Sequence, residues 1–181
     1  EIPTHMPDHI KMNIVTWSPE QTQKKQKELD TLKQVTEDLQ IFLMNVEALS
    51  TKRGLEQADK FLFTHRAMLA VDESTTIKSR TAQRTKNLIK LGKNAPYRRI
   101  LTGSPVTKSP LDLFTQCEFL EHYVLGQGSF WTFQNRYAKM VRRTMGAHSF
   151  NQIVGYQNLD ELNGIIEPFS FRVRKEECLD L

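Results

Sequence analysis

Two short polar clusters in the sequence carry residue types that can handle a phosphate and its metal. The first is Asp72-Glu73, which closes the apolar run Met68-Leu69-Ala70-Val71. In parallel α/β folds, ligands bind beyond the carboxyl ends of the strands. An aspartate placed there can hold a magnesium ion, directly or through water, and an adjacent glutamate can orient and deprotonate an attacking water. The same pair after a buried strand also serves as an ordinary turn or helix cap. The second cluster, Thr102-Gly103-Ser104, follows Ile100-Leu101 and leads into Pro105. Hydroxyls beside a glycine suit a loop that senses a phosphate or a neighbouring carboxylate, although alone they better suit a turn leading into the Ser109 cap. Together the two clusters put polar loops at the same edge of one sheet.

The elements that would carry them read as alternating strands and helices. Lys11–Trp17 is a strand, and Ser18-Pro19-Glu20-Gln21 signals a helix start, with Leu29, Leu32, Val35 and Leu39 as its apolar stripe. Ile41–Val46 and Arg66–Val71 are apolar strands, separated by a helix through Leu55, Ala58, Phe61 and Leu62. Ala82, Thr85, Leu88 and Ile89 give a third helix its buried side; Arg99–Thr102 is a fourth strand, and Ser109-Pro110-Leu111-Asp112 opens a fourth helix. This alternation predicts a parallel α/β sheet flanked by helices, and strands apolar throughout predict burial on both faces. After Gly126 the rhythm changes: Phe130–Val141 reads as an aromatic-rich helix, Ser149–Tyr156 as a strand or hairpin, and Asn158–Ile166 as a short helix.

The chain has 181 residues, 39% of them hydrophobic and 25% charged, with a net charge of +4. That composition fits a globular domain or a large piece of one. No apolar run has the length of a membrane span, and Glu1-Ile2-Pro3-Thr4 is not a signal peptide. The chain does not begin with Met, which suits an excised or trimmed piece. Cys117 and Cys178 form no metal or disulfide pattern, so reduced thiols and a cytoplasmic setting are expected. The charge is uneven. No acidic residue lies between Glu73 and Asp112, whereas Lys78, Arg80, Arg84, Lys86, Lys90, Lys93, Arg98, Arg99 and Lys108 all do. Such a block can attract a phosphate backbone, or be a solvated face balanced by acids elsewhere in the fold.

The run Val71-Asp72-Glu73-Ser74-Thr75-Thr76-Ile77-Lys78-Ser79 resembles the extended motif II, DEAHxIKN, of Swi/Snf-type ATPases of helicase-like superfamily two. Leu101-Thr102-Gly103-Ser104-Pro105-Val106-Thr107-Lys108 is similar to their motif III, LTGTPxxN. Leu111–Leu120 looks like the helix that follows, Phe130, Phe133 and Tyr137 fall where the family has aromatics, and Asn158–Leu162 and Phe171–Lys175 resemble the approach to a second lobe. The likeness covers residues 40–181 and is nearest in feel to compact phage ATPases. It implies a two-lobed RecA-like motor that hydrolyses ATP while tracking along duplex DNA. By position, Asp72 would serve magnesium and Glu73 would activate water, while Thr102, Gly103 and Ser104 would couple hydrolysis to motion. Asn45, Glu47, Thr51, Lys52 and Arg53 lie where the family has a DNA-facing loop; Lys52, Arg53, Lys78, Arg80, Lys86, Lys90 and Lys93 are the candidate DNA contacts. On this reading residues 1–125 are the later part of lobe one and residues 126–181 an appendage leading to lobe two.

The departures are specific. Ser74-Thr75 stand where the family has Ala-His, and Lys108 where it has Asn. No G-x-x-x-x-G-K-[ST] phosphate loop occurs, nor does an arginine finger of a second lobe. The chain therefore reads as inactive alone, with an uncovered sheet edge open to self-association. A non-catalytic nucleic-acid-binding module that kept the fold and a different P-loop enzyme, such as a small kinase, are the rivals. His5 and His9 are separated by Pro7, which disfavours a shared helical metal face; His65, His122 and His148 are scattered.

Overall fold

The computed structural model describes residues 6, 7, 9–20, 22–173 and 177. The chain divides into two compact units, Glu1–Gly103 and Ser104–Leu181.

Unit 1 begins with β1 (Met12–Thr16), then α1 (Gln23–Thr31) and β2 (Leu39–Leu43). β1 and β2 pair in parallel, Ile14 opposite Ile41, and Trp17 N extends the ladder to Leu43 O at 2.8 Å. Val15 on the strand packs with Leu29 and Leu32, and Phe42 and Phe61 close over them. The helix starts at Thr22, not at Ser18, because the Thr22 hydroxyl accepts Lys25 N at 3.2 Å whereas Ser18 Oγ folds onto Glu20 N. The apolar stripe also ends early. Leu29 and Leu32 are buried, but Val35 lies past the helix, 81% exposed, and Leu39 already opens β2. β2 stops at Leu43, and Val46–Ser50 forms a 3-10 turn instead of continuing it, capped by Asn45 Oδ1 on Glu47 N.

α2 (Lys52–Thr64) follows, capped by Thr51, then β3 (Met68–Val71), the 3-10 turn Ser74–Ile77, α3 (Gln83–Gly92) and β4 (Tyr97–Ile100). β3 and β4 pair in parallel, Met68 opposite Tyr97 and Val71 opposite Ile100. The second strand lies two residues earlier than Arg99–Thr102, since Leu101 N still bonds Val71 O but Thr102 and Gly103 have left the ladder. Burial on both faces is not what the pair shows. Met68, Ala70, Tyr97 and Arg99 all stand exposed on one side, while Val71 is buried and Leu69 and Ile100 half-buried on the other. An apolar strand reports what it can bury; it does not supply the second covering layer.

Unit 2 carries the 3-10 turn Pro110–Asp112, α4 (Leu113–Leu120), α5 (Phe130–Tyr137), a hairpin of β5 (Ala138–Met145) and β6 (His148–Tyr156), and α6 (Leu159–Ile166). Its core joins Leu111, Phe114 and Cys117 to Phe133, Tyr137 and Leu162. The aromatic helix stops at Tyr137 rather than running to Val141, because the following eight residues pair antiparallel with β6. The freed carbonyls at its end are taken up: Gln157 N reaches Tyr137 O at 2.9 Å and Asn158 Nδ2 reaches Arg136 O at 2.9 Å. The fold is thus α/β, with parallel strand pairs and a helical and hairpin C-terminal part, and no helix among the described residues is long and apolar enough to cross a membrane.

Candidate active site and nucleic-acid surface

Asp72 and Glu73 stand at the carboxyl end of β3, both exposed. Asp72 Oδ1 accepts the backbone N–H of Glu73 at 2.9 Å. Glu73 is held at φ 48°, ψ 58°, in the left-handed region that side-chain-bearing residues enter at a cost, and such positions gather at functional sites. The turn it opens is anchored from below. Ser74 is fully buried, and its N–H donates to Leu101 O at 3.0 Å; one step back, Leu101 N donates to Val71 O at 2.9 Å. Two rungs therefore tie the segment bearing Asp72 and Glu73 to the one entering Thr102 and Gly103. Both loops leave the same end of one parallel pair, as the sequence pattern predicts. Ser104 begins the second compact unit.

Helix α3 fastens this turn, and the Val46–Ser50 turn as well, through side chains on and beside its buried face. Thr85 Oγ1 donates to Ile77 O at 3.3 Å, Arg84 Nε donates to Thr76 O at 3.0 Å, and Asn87 Nδ2 donates to Leu49 O at 2.7 Å. Arg84 is also 3.9 Å from Glu47. Arg84 stands four residues before Leu88 and Asn87 four before Leu91, both buried, and that spacing is the sequence signal that they border the buried face. Lys86, Lys90 and Lys93 remain on the exposed side, as does Arg80 before the helix, while Lys78 is half-buried.

The loop before α2 divides into anchors and free ends. Asn45 and Thr51 use their side chains as caps. Arg53 Nη1 donates to Pro19 O at 2.8 Å and Nη2 to Glu20 O at 3.3 Å, so its guanidinium ties two segments of unit 1 together. Lys52 projects outward, its side chain 91% exposed and 3.9 Å from Glu56.

As a magnesium ligand Asp72 fits in part. Magnesium keeps several waters and takes one or two carboxylates with substrate phosphates. Asp72 offers one exposed carboxylate, and no group of three His, Cys, Asp or Glu able to cage a metal exists among the described residues. Among the histidines, His65 Nε2 lies 2.6 Å from Leu32 O, a contact between distant parts of unit 1, and His122 Nδ1 lies 2.6 Å from Glu118, four residues earlier. His5 and Cys178 lie outside the described residues, as do Arg174 and Lys175. Cys117 is buried, and burial pushes its thiol up to about 12.

A second cationic surface is absent from the sequence expectations. No acidic residue occurs between Glu121 and Asp160, and Arg136, Lys139, Arg142 and Arg143 fall in that interval. Glu161 takes Arg136 in a two-pronged ion pair and accepts the Tyr137 hydroxyl at 2.9 Å. Lys139, Arg142 and Arg143 stand on the exposed hairpin.

Sequence comparison places these features in context. The profile of the SNF2-related domain matches residues 1–180. The chain is 34% identical over 113 residues to the bovine (Bos taurus) protein named DNA annealing helicase and endonuclease ZRANB3, covering 62% of this chain and 10% of that protein. With the human protein of the same name (Homo sapiens) it is 27% identical over 173 residues, 95% of this chain and 16% of the relative. A Drosophila melanogaster protein, SWI/SNF-related matrix-associated actin-dependent regulator of chromatin subfamily A-like protein 1, is 28% identical over 149 residues, 81% of this chain and 19% of the relative. The chain thus spans no more than about a fifth of the length of these relatives.

Proposed function

Because this chain belongs to the SNF2-related domain family, we propose that it is the part of an ATP-driven DNA motor that positions magnesium and the attacking water. The observation that carries the reading is the pair of rungs, Ser74 to Leu101 and Leu101 to Val71, that fixes the Asp72-Glu73 turn beside the segment entering Thr102 and Gly103. In this reading Asp72 holds Mg2+ with water and nucleotide phosphate, and Glu73 accepts the proton of the attacking water. Thr102, Gly103 and Ser104 couple the hydrolytic loop to movement. Lys52, Lys78, Arg80, Lys86, Lys90 and Lys93 meet duplex DNA, while Arg53 supports that surface from within the fold. The relatives whose names refer to DNA annealing and chromatin regulation support a DNA partner.

In this reading residues 1–125 form the later part of a first RecA-like lobe and residues 126–181 lead toward a second, a boundary drawn from the motifs and not from the compact units, which divide after Gly103. The chain is a fragment of a longer motor, phage-like in its compactness. ATP hydrolysis needs a phosphate cradle and a trans-acting charge as well as carboxylates. The isolated chain should then show no ATPase activity, with or without DNA. β4 pairs only with β3 among the described residues, so its outer edge is open to self-association.

The decisive experiment uses the whole protein read from its gene. It should hydrolyse ATP in a DNA-stimulated way, and Glu73→Gln should lower turnover by about a thousandfold or more while nucleotide binding persists. Near-normal turnover in that variant would remove Glu73 from the role of base.

A further inference from the structure

We propose that the β5–β6 hairpin is a nucleic-acid-binding arm, with Lys139, Arg142 and Arg143 contacting phosphates and Phe150 offering its ring to an unpaired base. The inference rests on the reading of the chain as a DNA-motor component only for its choice of DNA as the polymer. The rest comes from the hairpin itself.

The two strands are joined by Gly146-Ala147, with Gly146 at φ 62° and Ala147 not left-handed, the pattern of a tight turn that matches strand twist. Only the base of the ribbon is packed: Met140 and Ile153 lie opposite one another and meet the core of unit 2. From Val141 to Gln152 every residue is exposed. A ribbon this long that buries nothing along its outer half is not explained by its own stability.

Its chemistry is one-signed. The interval from His122 to Leu159 contains no carboxylate, and Glu161 is committed to Arg136 and Tyr137. Among the described residues no carboxylate pairs with Lys139, Arg142 or Arg143; Arg142 Nη2 reaches Ser149 Oγ at 3.4 Å and Arg143 Nε reaches Gln152 Oε1 at 3.2 Å. These neutral partners hold the guanidinium planes in place and leave their charge uncompensated. Cross-strand register then separates the two faces. Arg142, Asn151, Thr144 and Ser149 form one, and Arg143 with Phe150, and Met145 with His148, the other. Phe150 is 49% exposed directly opposite Arg143.

That pairing of an open aromatic ring with a cation, on a ribbon narrow enough for a DNA groove, suits phosphate contact combined with base stacking. A lipid surface fits less well, because Arg143, Gln152 and His148 interrupt Val141, Met145 and Phe150 on the same face.

The test is fluorescence anisotropy of the 181-residue chain against labelled single-stranded, blunt-duplex and forked DNA of equal length, across a salt series. Arg142→Glu with Arg143→Glu should weaken binding to all three DNAs by about tenfold or more and reduce the salt slope by about two. Phe150→Ala should weaken single-stranded and forked DNA by about tenfold and leave the blunt duplex unchanged. Thermal unfolding of these surface variants should match the parent chain, and Arg142→Lys with Arg143→Lys should retain binding. Unchanged affinity and slope in the charge-reversed variant would overturn the arm, and an equal loss on blunt and forked DNA in Phe150→Ala would overturn the stacking role. Binding to vesicles of phosphatidylcholine and phosphatidylserine stronger than to DNA would overturn the assignment of the polymer. A parallel variant, Lys86→Glu with Lys90→Glu and Lys93→Glu, separates the two readings. Loss in that variant alone sinks only the arm, whereas no loss in either, or no binding at all, sinks the DNA reading as well.

Discussion

One oxygen of the Asp72 carboxylate accepts the N–H of Glu73 at 2.9 Å, at the point where Glu73 takes left-handed backbone angles. The residue proposed to hold metal thus also steadies the residue proposed to activate water. A left-handed glutamate is strained by its Cβ, and glycine is not. Glu73→Gly should raise the stability of the chain by about 0.5–1 kcal/mol in urea unfolding, while removing the carboxylate that the chemistry needs. A variant less stable than the parent would show that the side chain contributes more to this turn than its backbone angles cost.

Lys52 and Arg53 are neighbours with opposite duties. Arg53→Ala breaks the bonds to Pro19 and Glu20 carbonyls and should cost about 1–3 kcal/mol in thermal or urea unfolding. Lys52→Ala should leave stability within about 0.5 kcal/mol of the parent, since exposed ion pairs contribute little. If both changes act only on DNA affinity, the structural assignment of Arg53 fails.

Gly54, at the start of α2, lies against the Val46–Ser50 turn, where an added Cβ would sit 2.2 Å from Ala48 O. That atom is backbone and cannot swing aside. Gly54→Ala should therefore destabilise the chain by about 1–3 kcal/mol, despite alanine's better helix propensity. Gly164, with nothing within 4 Å of an added Cβ, is the matching control in α6, where alanine should be neutral or stabilising.

The Tyr137–Glu161–Arg136 cluster makes a pH prediction of definite sign. Burial, then its bond to Glu161, pushes the Tyr137 hydroxyl from 10.0 up to about 12. A raised folded-state pKa gives a contribution fully present below pH 10 and lost as pH climbs toward 12. Glu161 is held below its ordinary 4.5, first by Arg136 and then by Tyr137, so its contribution is present above that value and fades as pH falls beneath it. Tyr137→Phe should flatten the alkaline limb of urea midpoints against pH relative to the parent and make the acid limb shallower without abolishing it, because Arg136 still holds Glu161. An unchanged alkaline limb would detach Tyr137 from it.

The residues that could be read from sequence were those whose role is local. Asp72-Glu73 and Thr102-Gly103 announce strand ends because apolar runs stop there, and α2, α3 and α6 follow from three- and four-residue spacing. Ser18 and Thr22 offer equivalent caps to a local reading; the Pro19 and Glu20 carbonyls between them are bonded by Arg53, thirty-odd positions away, a contact that sequence spacing does not announce. The helix ending at Tyr137 is a similar case, since β6 competes for residues whose aromatic spacing also suits a helix. The arm was legible in principle, as a second interval without acids, but its exposure is a fact of packing.

The bare side of the β3–β4 pair alters what denaturation would report about unit 1. Met68, Ala70, Tyr97 and Arg99 already meet water before the chain unfolds, so only part of their surface is newly hydrated when it does. Heat-capacity increments and denaturant slopes scale with surface newly exposed. This stretch therefore adds less to either than its apolar sequence suggests, and a ligand or protein layer that dries that side should steepen the urea dependence along with raising the midpoint.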